Sequence, residues 1–228
     1  MLKIATPAFV YHRVRGMDRI EWLQGQLTQN VLEMRPGDWR QTAALNATGQ
    51  LLADGALWVF DDEVVVGFDR FATGVQDALA SRIIMEDVVF EPIVGSVPSL
   101  VGEVVNADDV DYEAARVEAG MPLAGIDYDS KTLAMEMGPH FISTRIALDK
   151  GCYTGQEIVE RIRSRGHTNK QWVGLQSESP IPDSPEARIT SRAESPRFGH
   201  IALAFVKTDL AAPGTLIGAA SVVPLPFR

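Results

Sequence analysis

The residues best suited to chemistry lie in one short segment around the chain's single cysteine. Cys152 lies within Asp-Lys-Gly-Cys-Tyr-Thr-Gly-Gln-Glu, residues 149–157. A helix predicted to start at Gly155 would bring unpaired N–H groups close to this thiol, and Lys150 lies two positions before it. Both a helix N-terminus and a nearby cation favour the thiolate, so the segment predicts a reactive cysteine. The alternative is a small buried cysteine in a tight turn.

Positive charge is concentrated in the same part of an otherwise acidic chain. The protein has 21 Lys and Arg against 30 Asp and Glu, which gives a net charge of −9. Between positions 145 and 170 the cations outnumber the acids by six to three. These cations are Arg145, Lys150, Arg161, Arg163, Arg165 and Lys170. The cluster favours a small polyanionic ligand or a limited stretch of RNA backbone, with a solvated helix face as the alternative. The overall charge argues against direct binding to nucleic acid.

Most familiar catalytic signatures are missing from the sequence. It contains no dinucleotide or phosphate-binding glycine motif, no HExxH, no GxSxG and no CxxC. The four histidines are isolated, and one cysteine cannot hold a zinc ion or an iron–sulfur cluster alone, so we expect no metal site. A single unpaired thiol, no signal peptide and no apolar run of ~18 residues predict a cytoplasmic protein without a membrane span.

The elements that must position these residues follow an α+β order. Apolar spacing predicts helices at about 18–31 with Asp18 as N-cap, 69–84 with Asp69 as N-cap, 108–119, 141–148 and 155–165. Predicted strands cover about 39–46, 51–60, 64–66, 88–94, 100–105, 172–175, 189–191 and 200–207. Strands joined by local turns predict antiparallel sheets rather than a doubly wound fold. After Lys170 the sequence changes to short predicted strands and a loop rich in proline and serine. This change divides the chain into an α+β region, 1–170, and a small β unit, 171–228.

Four stretches of the sequence resemble one known family. Residues 150–157 resemble the K-G-C-Y-x-G-Q-E signature of the YgfZ family, a relative of the glycine-cleavage T-protein, which is a tetrahydrofolate-dependent aminomethyltransferase. Residues 22–28 resemble the family's F/Y-L-Q-G-Q-x-T helix, 116–122 its R-x-E-x-G-x-P segment, and 189–204 its T-S…S-P…A-L pattern. The resemblance implies T-protein-like folate-binding lobes with antiparallel sheets and a small C-terminal β-barrel, reduced here.

The resemblance also implies roles for individual residues. In T-protein relatives the glutamate of the R-x-E-x-G segment holds the pterin ring, and here that position is Glu118. A carboxylate can accept two parallel N–H bonds from an aminopyrimidine edge, although an acid on an acidic helix is also simply a surface residue. The T-protein's acidic pair is represented here only by Asp54, so Cys152 and Asp54 are the expected catalytic residues. The expected cofactor-binding residues are Glu118, Lys150, Tyr153, Gln156, Arg161, Arg163 and Arg165, the arginines being inferred from charge as partners of the folate tail.

Three functions compete on these grounds. The first is a protein that binds tetrahydrofolate, or a one-carbon derivative, and supports iron–sulfur cluster assembly or repair, with Cys152 as the reactive group. The second is a folate-dependent one-carbon (aminomethyl) transferase, which the missing second acid weakens. The third is a folate-binding scaffold that influences tRNA modification indirectly. The expected partners are folate and iron–sulfur client or assembly proteins.

Overall fold

Two antiparallel sheets, five α-helices and two short 3-10 helices lie in the described parts of the chain. The computed structural model describes residues 9–94 and 110–228, and each sheet there has five strands. The strands are β1 (Phe9–Arg15), β2 (Trp39–Leu45), β3 (Leu51–Val59), β4 (Val64–Asp69), β5 (Val89–Pro92), β6 (Lys170–Ser177), β7 (Ala187–Ser195), β8 (Gly199–Lys207), β9 (Leu216–Ile217) and β10 (Ala220–Val223). The helices are α1 (Arg19–Gln26), α2 (Val75–Ala80), α3 (Val110–Glu118), α4 (Gly138–Arg145) and α5 (Gln156–Arg165). The predicted α+β class is confirmed.

The first sheet has the strand order β2-β3-β4-β1-β5. Antiparallel pairing of β2 with β3 and of β3 with β4 confirms the predicted meander. The N-terminal strand β1, which the sequence pattern did not predict, lies between β4 and β5 and pairs with both. The predicted strand at 100–105 and the start of the predicted helix at 108 lie outside the described residues.

Side-chain alternation divides the residues of the first sheet between two cores. Ala44, Ala53 and Leu57 pack with the buried apolar residues of α1 and α2. Ala43 points to the other face and belongs to a second core, because successive residues of a strand alternate in direction. Asp54 follows Ala53 in β3 and therefore shares the second face, which is directed towards the rest of the molecule.

A central core joins the two sheets. It combines residues of the first sheet, of the helices and of the second sheet, including Leu51, Val117, Phe141, Trp172 and Leu203. Helix α4 contacts β2 on one side and β6 on the other, and α3 contacts β7 and β8. The residues that follow β5 in the chain therefore connect both sheets through shared apolar packing.

The second sheet is open among the described residues. Its strand order is β7-β8-β6-β10-β9, so β7 and β9 form its two edges. Because β9 has only two residues and pairs with β10, it does not close the sheet onto β7. The strands predicted in the C-terminal region form this second antiparallel sheet, whereas the described strands do not form the expected closed barrel. Within residues 9–94 and 110–228, no helix has both the length and the apolar character needed to cross a bilayer.

One of the two predicted helix caps is confirmed in position, and the other is wrong. Asp18 is the N-cap residue of α1, and its carbonyl oxygen accepts from the Trp22 N–H at 2.8 Å, but its side chain makes no capping bond and its Oδ2 accepts from the Asp87 N–H at 2.8 Å. Asp69 ends β4, and the next helix begins only at Val75, after a turn in which Gly74 has φ +82°. Residues 70–74 form turns, because the chain must leave the sheet before α2 can pack on it. The Asp69 carboxylate instead accepts hydrogen bonds from the N–H groups of Phe71 and Ala124.

Candidate functional site

The cysteine loop, residues 149–155, packs against α1 and the turn between β2 and β3. The Thr154 N–H donates to the Gly25 carbonyl at 3.1 Å. Gly155 has φ +86°, and a Cβ atom there would lie 2.5 Å from the Asn46 carbonyl oxygen. This close approach requires glycine. Cys152 itself is exposed, which excludes the alternative of a buried packing cysteine.

Lys150 is committed to the C-terminal end of α1. Its Nζ donates to the carbonyl oxygens of Gln24 at 2.6 Å, Leu27 at 2.6 Å and Gln29 at 2.9 Å. It also lies 4.9 Å from the centre of the Tyr153 ring. Burial lowers the pKa of Lys150 to about 7. The three carbonyl contacts favour the charged form, because only the ammonium has three N–H donors. The predicted cofactor-binding lysine therefore holds the cysteine loop onto α1.

Tyr153 and Gln156 also make contacts inside the protein. Tyr153 belongs to the central core, and burial raises the pKa of its hydroxyl to about 12. The Gln156 Oε1 accepts from the Tyr153 N–H at 3.2 Å, which fixes the loop just before α5. Both side chains thus shape the cysteine loop.

The three arginines of α5 do not converge. Arg161 and Arg165 are exposed and lie about one turn apart on the helix. Arg163 lies on the other side, since two residues rotate a helix by about 200°. Its Nη1 donates to the Leu148 carbonyl at 3.0 Å and pairs with Glu160 at 3.2 Å. Only Arg161 and Arg165 are therefore placed to act together on one anion.

Asp54, the second predicted catalytic residue, forms a buried ion pair with Arg145. The Arg145 Nε lies 2.6 Å from Asp54 Oδ1, and the Nη2 lies 3.2 Å from Oδ2. Both side chains are at most 3% exposed. Burial raises the pKa of the Asp54 carboxyl, and the Arg145 charge opposes that rise. The sequence placed Arg145 only in a cationic cluster, whereas the structure makes it the counter-ion of the candidate acid.

Asp69 and Tyr128 complete a polar group that the sequence analysis missed. The register that pairs Gly55 with Phe68 brings Asp54 and Asp69 to adjacent positions on neighbouring strands. The Tyr128 hydroxyl accepts from the Asp54 N–H at 2.8 Å. Burial raises the pKa of Tyr128 well above its usual value, and the Asp69 and Asp54 charges add to the rise. A second acid therefore lies beside Asp54 on the next strand, a neighbour that a strand register could have revealed.

Asp69 is itself buried and hydrogen-bonded. Its Oδ2 accepts from the Ala124 N–H at 2.5 Å, and its Oδ1 accepts from the Phe71 N–H at 2.9 Å. Burial raises the pKa of Asp69, and these two backbone bonds counteract it. Asp69 thus anchors the segment that carries Tyr128.

Glu118, the predicted pterin-binding residue, lies at the end of α3 against the turn between β7 and β8. Its Oε1 accepts from the Ser195 hydroxyl at 2.5 Å, and its Oε2 lies 3.5 Å from Arg197 Nη1. Its carbonyl oxygen accepts from the Phe227 N–H at 2.8 Å. The side chain is 17% exposed, so the carboxylate lies at the edge of the packed interior.

A buried network positions α3, and hence Glu118, on the second sheet. Arg116 Nη1 donates to Asp127 Oδ2 at 2.7 Å, and Arg116 Nη2 donates to the Ser191 hydroxyl at 2.7 Å. Asp127 Oδ1 accepts from the hydroxyls of Thr190 at 2.5 Å and Ser191 at 2.8 Å. The R-x-E-x-G and T-S segments of the sequence therefore meet in space.

The cysteine loop and Glu118 contact different parts of the protein. The cysteine loop contacts α1 and the β2–β3 turn, whereas Glu118 contacts the β7–β8 turn and the C-terminal end of the chain. Among the residues that the structure describes, no group of three or more His, Cys, Asp or Glu is arranged to hold a metal ion. Cys152 and Glu118 therefore belong to two separate contact regions of the protein.

Comparison with known proteins identifies the fold. No protein-family model matches the chain. An uncharacterised protein of Haemophilus influenzae is 26% identical over 212 residues, which covers 79% of this chain and 74% of that protein. The glycine cleavage system aminomethyltransferase T of Bartonella henselae has a similar structure, with a TM-score of 0.76 and 14% identity over 98% of this chain and 85% of that one. The chain therefore has the T-protein fold, as the resemblance implied.

Proposed function

We propose that this protein binds tetrahydrofolate or a one-carbon derivative and supports the assembly or repair of iron–sulfur clusters in client enzymes. The observation that carries the folate part is the T-protein fold, which extends over 98% of the chain. The iron–sulfur part rests on the resemblance of residues 150–157 to the YgfZ signature. The same motif makes a YgfZ-type protein our preferred family assignment.

The position of Glu118 supports pterin binding. A partly exposed carboxylate at the edge of the interior can accept two N–H bonds and still be reached by a ligand. The buried Arg116–Asp127 pair holds α3 and so fixes this carboxylate in place. Preorganised acceptors of this kind lose little entropy when they bind.

The Asp54–Arg145 pair favours a binding protein over an aminomethyltransferase. A carboxylate that acts as a general acid or base must lie within hydrogen-bond reach of the substrate proton that it transfers. Asp54 instead binds Arg145 at two points and is 2% exposed. The one-carbon transferase is therefore the second candidate, and Asp54 is the residue on which it depends.

The exposure of Cys152 supports a chemical role for the thiol. The side chain is open to solvent although its neighbours Tyr153 and Gly155 are buried. Burying a cysteine would protect it from redox partners and clients, whereas this loop presents it. We assign Cys152 as the reactive group and Arg161 and Arg165 as candidate cations for the folate tail.

An anaerobic titration with tetrahydrofolate tests the binding function. The wild type should bind, and Glu118→Gln should weaken the affinity about tenfold or more, because an amide presents only one acceptor oxygen to the pterin edge. Glu178→Gln is the matched control, since Glu178 is an exposed acid outside the site. Failure of the wild type to bind, or equal affinity in Glu118→Gln, would disprove the assignment.

Two assays separate the candidate functions. Turnover of an aminomethylated carrier protein with tetrahydrofolate, abolished in Asp54→Asn, would establish the transferase instead. Activity of an iron–sulfur enzyme in cells under oxidative stress should fall when Cys152 is replaced by Ala. Because Cys152 is exposed, this replacement should leave the folded protein intact. Unchanged enzyme activity in cells that carry Cys152→Ala would remove the thiol from the mechanism.

A further inference from the structure

The β7–β8 turn is organised around one hydroxyl group. The Ser195 Oγ accepts hydrogen bonds from the N–H groups of Arg197 and Phe198, both at 3.0 Å. The same hydroxyl donates its hydrogen to Glu118 Oε1. Ser195 is only 3% exposed, so water does not replace these bonds. The conformation of the turn and the position of the Glu118 carboxylate are therefore coupled through one side chain.

Arg197 brings a positive charge from the same turn to the same carboxylate. Its Nη1 lies 3.5 Å from Glu118 Oε2, and its guanidinium lies 4.7 Å from the centre of the Phe198 ring. The Phe198 ring lies 5.9 Å from that of Phe227, whose N–H donates to the Glu118 carbonyl. Arg197 is nevertheless 69% exposed at its side chain, so it can leave without unpacking the core.

Both carboxylate oxygens of Glu118 thus have partners within the protein. A ligand that presents two parallel N–H groups needs both oxygens at once. We propose that the β7–β8 turn is an autoinhibitory latch, in which Ser195 and Arg197 compete with the N–H groups of a ligand for the Glu118 carboxylate. This inference rests on the proposed function, in which Glu118 holds the pterin ring.

The latch has a defined thermodynamic effect. If only a fraction of molecules has Glu118 free, the apparent dissociation constant is the intrinsic constant divided by that fraction. Loss of either latch contact raises the free fraction and should tighten binding. If the turn were instead part of the binding site, the same changes would weaken binding.

Tetrahydrofolate titrations of Arg197→Ala and Ser195→Ala test the latch. Each should tighten the dissociation constant about threefold to tenfold relative to the wild type. Arg197→Lys keeps the charge and should stay close to the wild type. Arg188→Ala removes an exposed arginine of β7, the strand before the turn, that lies over Phe205, and it should also leave the affinity unchanged. Arg197 is exposed, so Arg197→Ala keeps the test valid if Ser195→Ala does not fold.

The outcomes distinguish the latch from the folate site itself. Binding that is lost in Glu118→Gln but unchanged or weaker in Arg197→Ala and Ser195→Ala would overturn the latch and leave the folate site standing. Binding in the two turn variants that exceeds wild-type binding would support the latch. Absence of tetrahydrofolate binding in the wild type and in every variant, or equal binding in Glu118→Gln, would overturn the folate site and the latch together.

Discussion

Asp54 and Arg145 are 91 residues apart in the chain and form a two-point ion pair between β3 and α4. The Arg145 guanidinium also lies 4.7 Å from the centre of the Phe141 ring, and its Nη1 donates to the Thr144 hydroxyl at 2.7 Å. The pair therefore attaches the helix that lies between the two sheets to the inner face of the first sheet. Asp54, the predicted catalytic acid, is therefore part of the contact between α4 and the first sheet.

Breaking this ion pair should destabilise the protein. Arg145→Met leaves the Asp54 carboxylate buried without its counter-ion, and we expect the free energy of unfolding to fall by about 3–5 kcal/mol. Asp54→Leu should have an effect of similar size. The double variant should lose less than the sum of the two, because it leaves no uncompensated charge. Urea unfolding of the wild type, the two single variants and the double variant measures these free energies of unfolding.

Arg165→Met is the matched control for that cycle. Arg165 is an exposed arginine at the end of α5, and its replacement should change the free energy of unfolding by at most about 0.5 kcal/mol. A loss of less than 1 kcal/mol for Arg145→Met would show that the pair contributes no more than a surface contact.

The two glycines that flank Cys152 should respond differently to substitution. Gly155 has φ +86°, and a Cβ there would lie 2.5 Å from the Asn46 carbonyl oxygen and 3.0 Å from Leu45 Cβ. Gly155→Ala should therefore cost about 1–3 kcal/mol of stability, measured by thermal or urea unfolding. Gly151 has no atom within 4 Å of the corresponding position, so Gly151→Ala should be close to neutral. Equal effects of the two substitutions would contradict the described packing of the loop.

Local sequence patterns predicted many elements well. The helix predicted at 155–165 is α5, Gln156–Arg165, and the strand predicted at 200–207 is β8, Gly199–Lys207. Both are defined by nearby residues: a glycine in a left-handed conformation before α5, and a run of apolar residues in β8. The antiparallel order of the sheets also followed from the short turns between strands.

Contacts between distant segments were not accessible from the sequence in the same way. The sequence gives no indication that Lys150 donates to carbonyls of α1, more than 120 residues earlier in the chain. The Asp69 carboxylate was misassigned as a helix cap because an acid before an apolar run is a common cap pattern. The proximity of Asp69 to Asp54 becomes apparent only once β3 and β4 are set in register. Long-range packing therefore decides which polar residues of the candidate site meet.

Loss of Lys150 should loosen the end of α1. Lys150→Met removes three N–H donors from the carbonyls of Gln24, Leu27 and Gln29, and we expect a loss of about 2 kcal/mol in the free energy of unfolding. Amide hydrogen exchange should rise selectively in residues 24–31, next to the cysteine loop. Lys207→Met, at an exposed position of β8, is the control and should leave exchange there unchanged. Unaltered exchange in Lys150→Met would show that the ammonium does not hold α1.

His140 should make the protein less stable as the solution becomes acidic. It lies on α4 beside a cavity of about 120 Å³ that is also lined by Trp172 and Pro224. Burial, helped by the charges of Arg145 and Arg228, lowers the pKa of His140 from 6.5 to about 4. The folded protein therefore binds fewer protons at His140 than the unfolded chain between these values, and the free energy of unfolding falls as pH falls through that window.

A difference measurement isolates this contribution from that of the buried carboxyls. Burial raises the pKa of Asp54 and Asp69, so these groups act in the opposite direction under acidic conditions. The wild type should lose stability relative to His140→Gln as the pH is lowered from about 6.5 to about 4, because glutamine cannot take up the proton. In a two-dimensional NMR titration, the ring resonance that is absent from His140→Gln should change with a midpoint at about 4. A midpoint near 6.5, together with parallel stability curves for the two proteins, would place the imidazole in contact with water and away from the charge of Arg145.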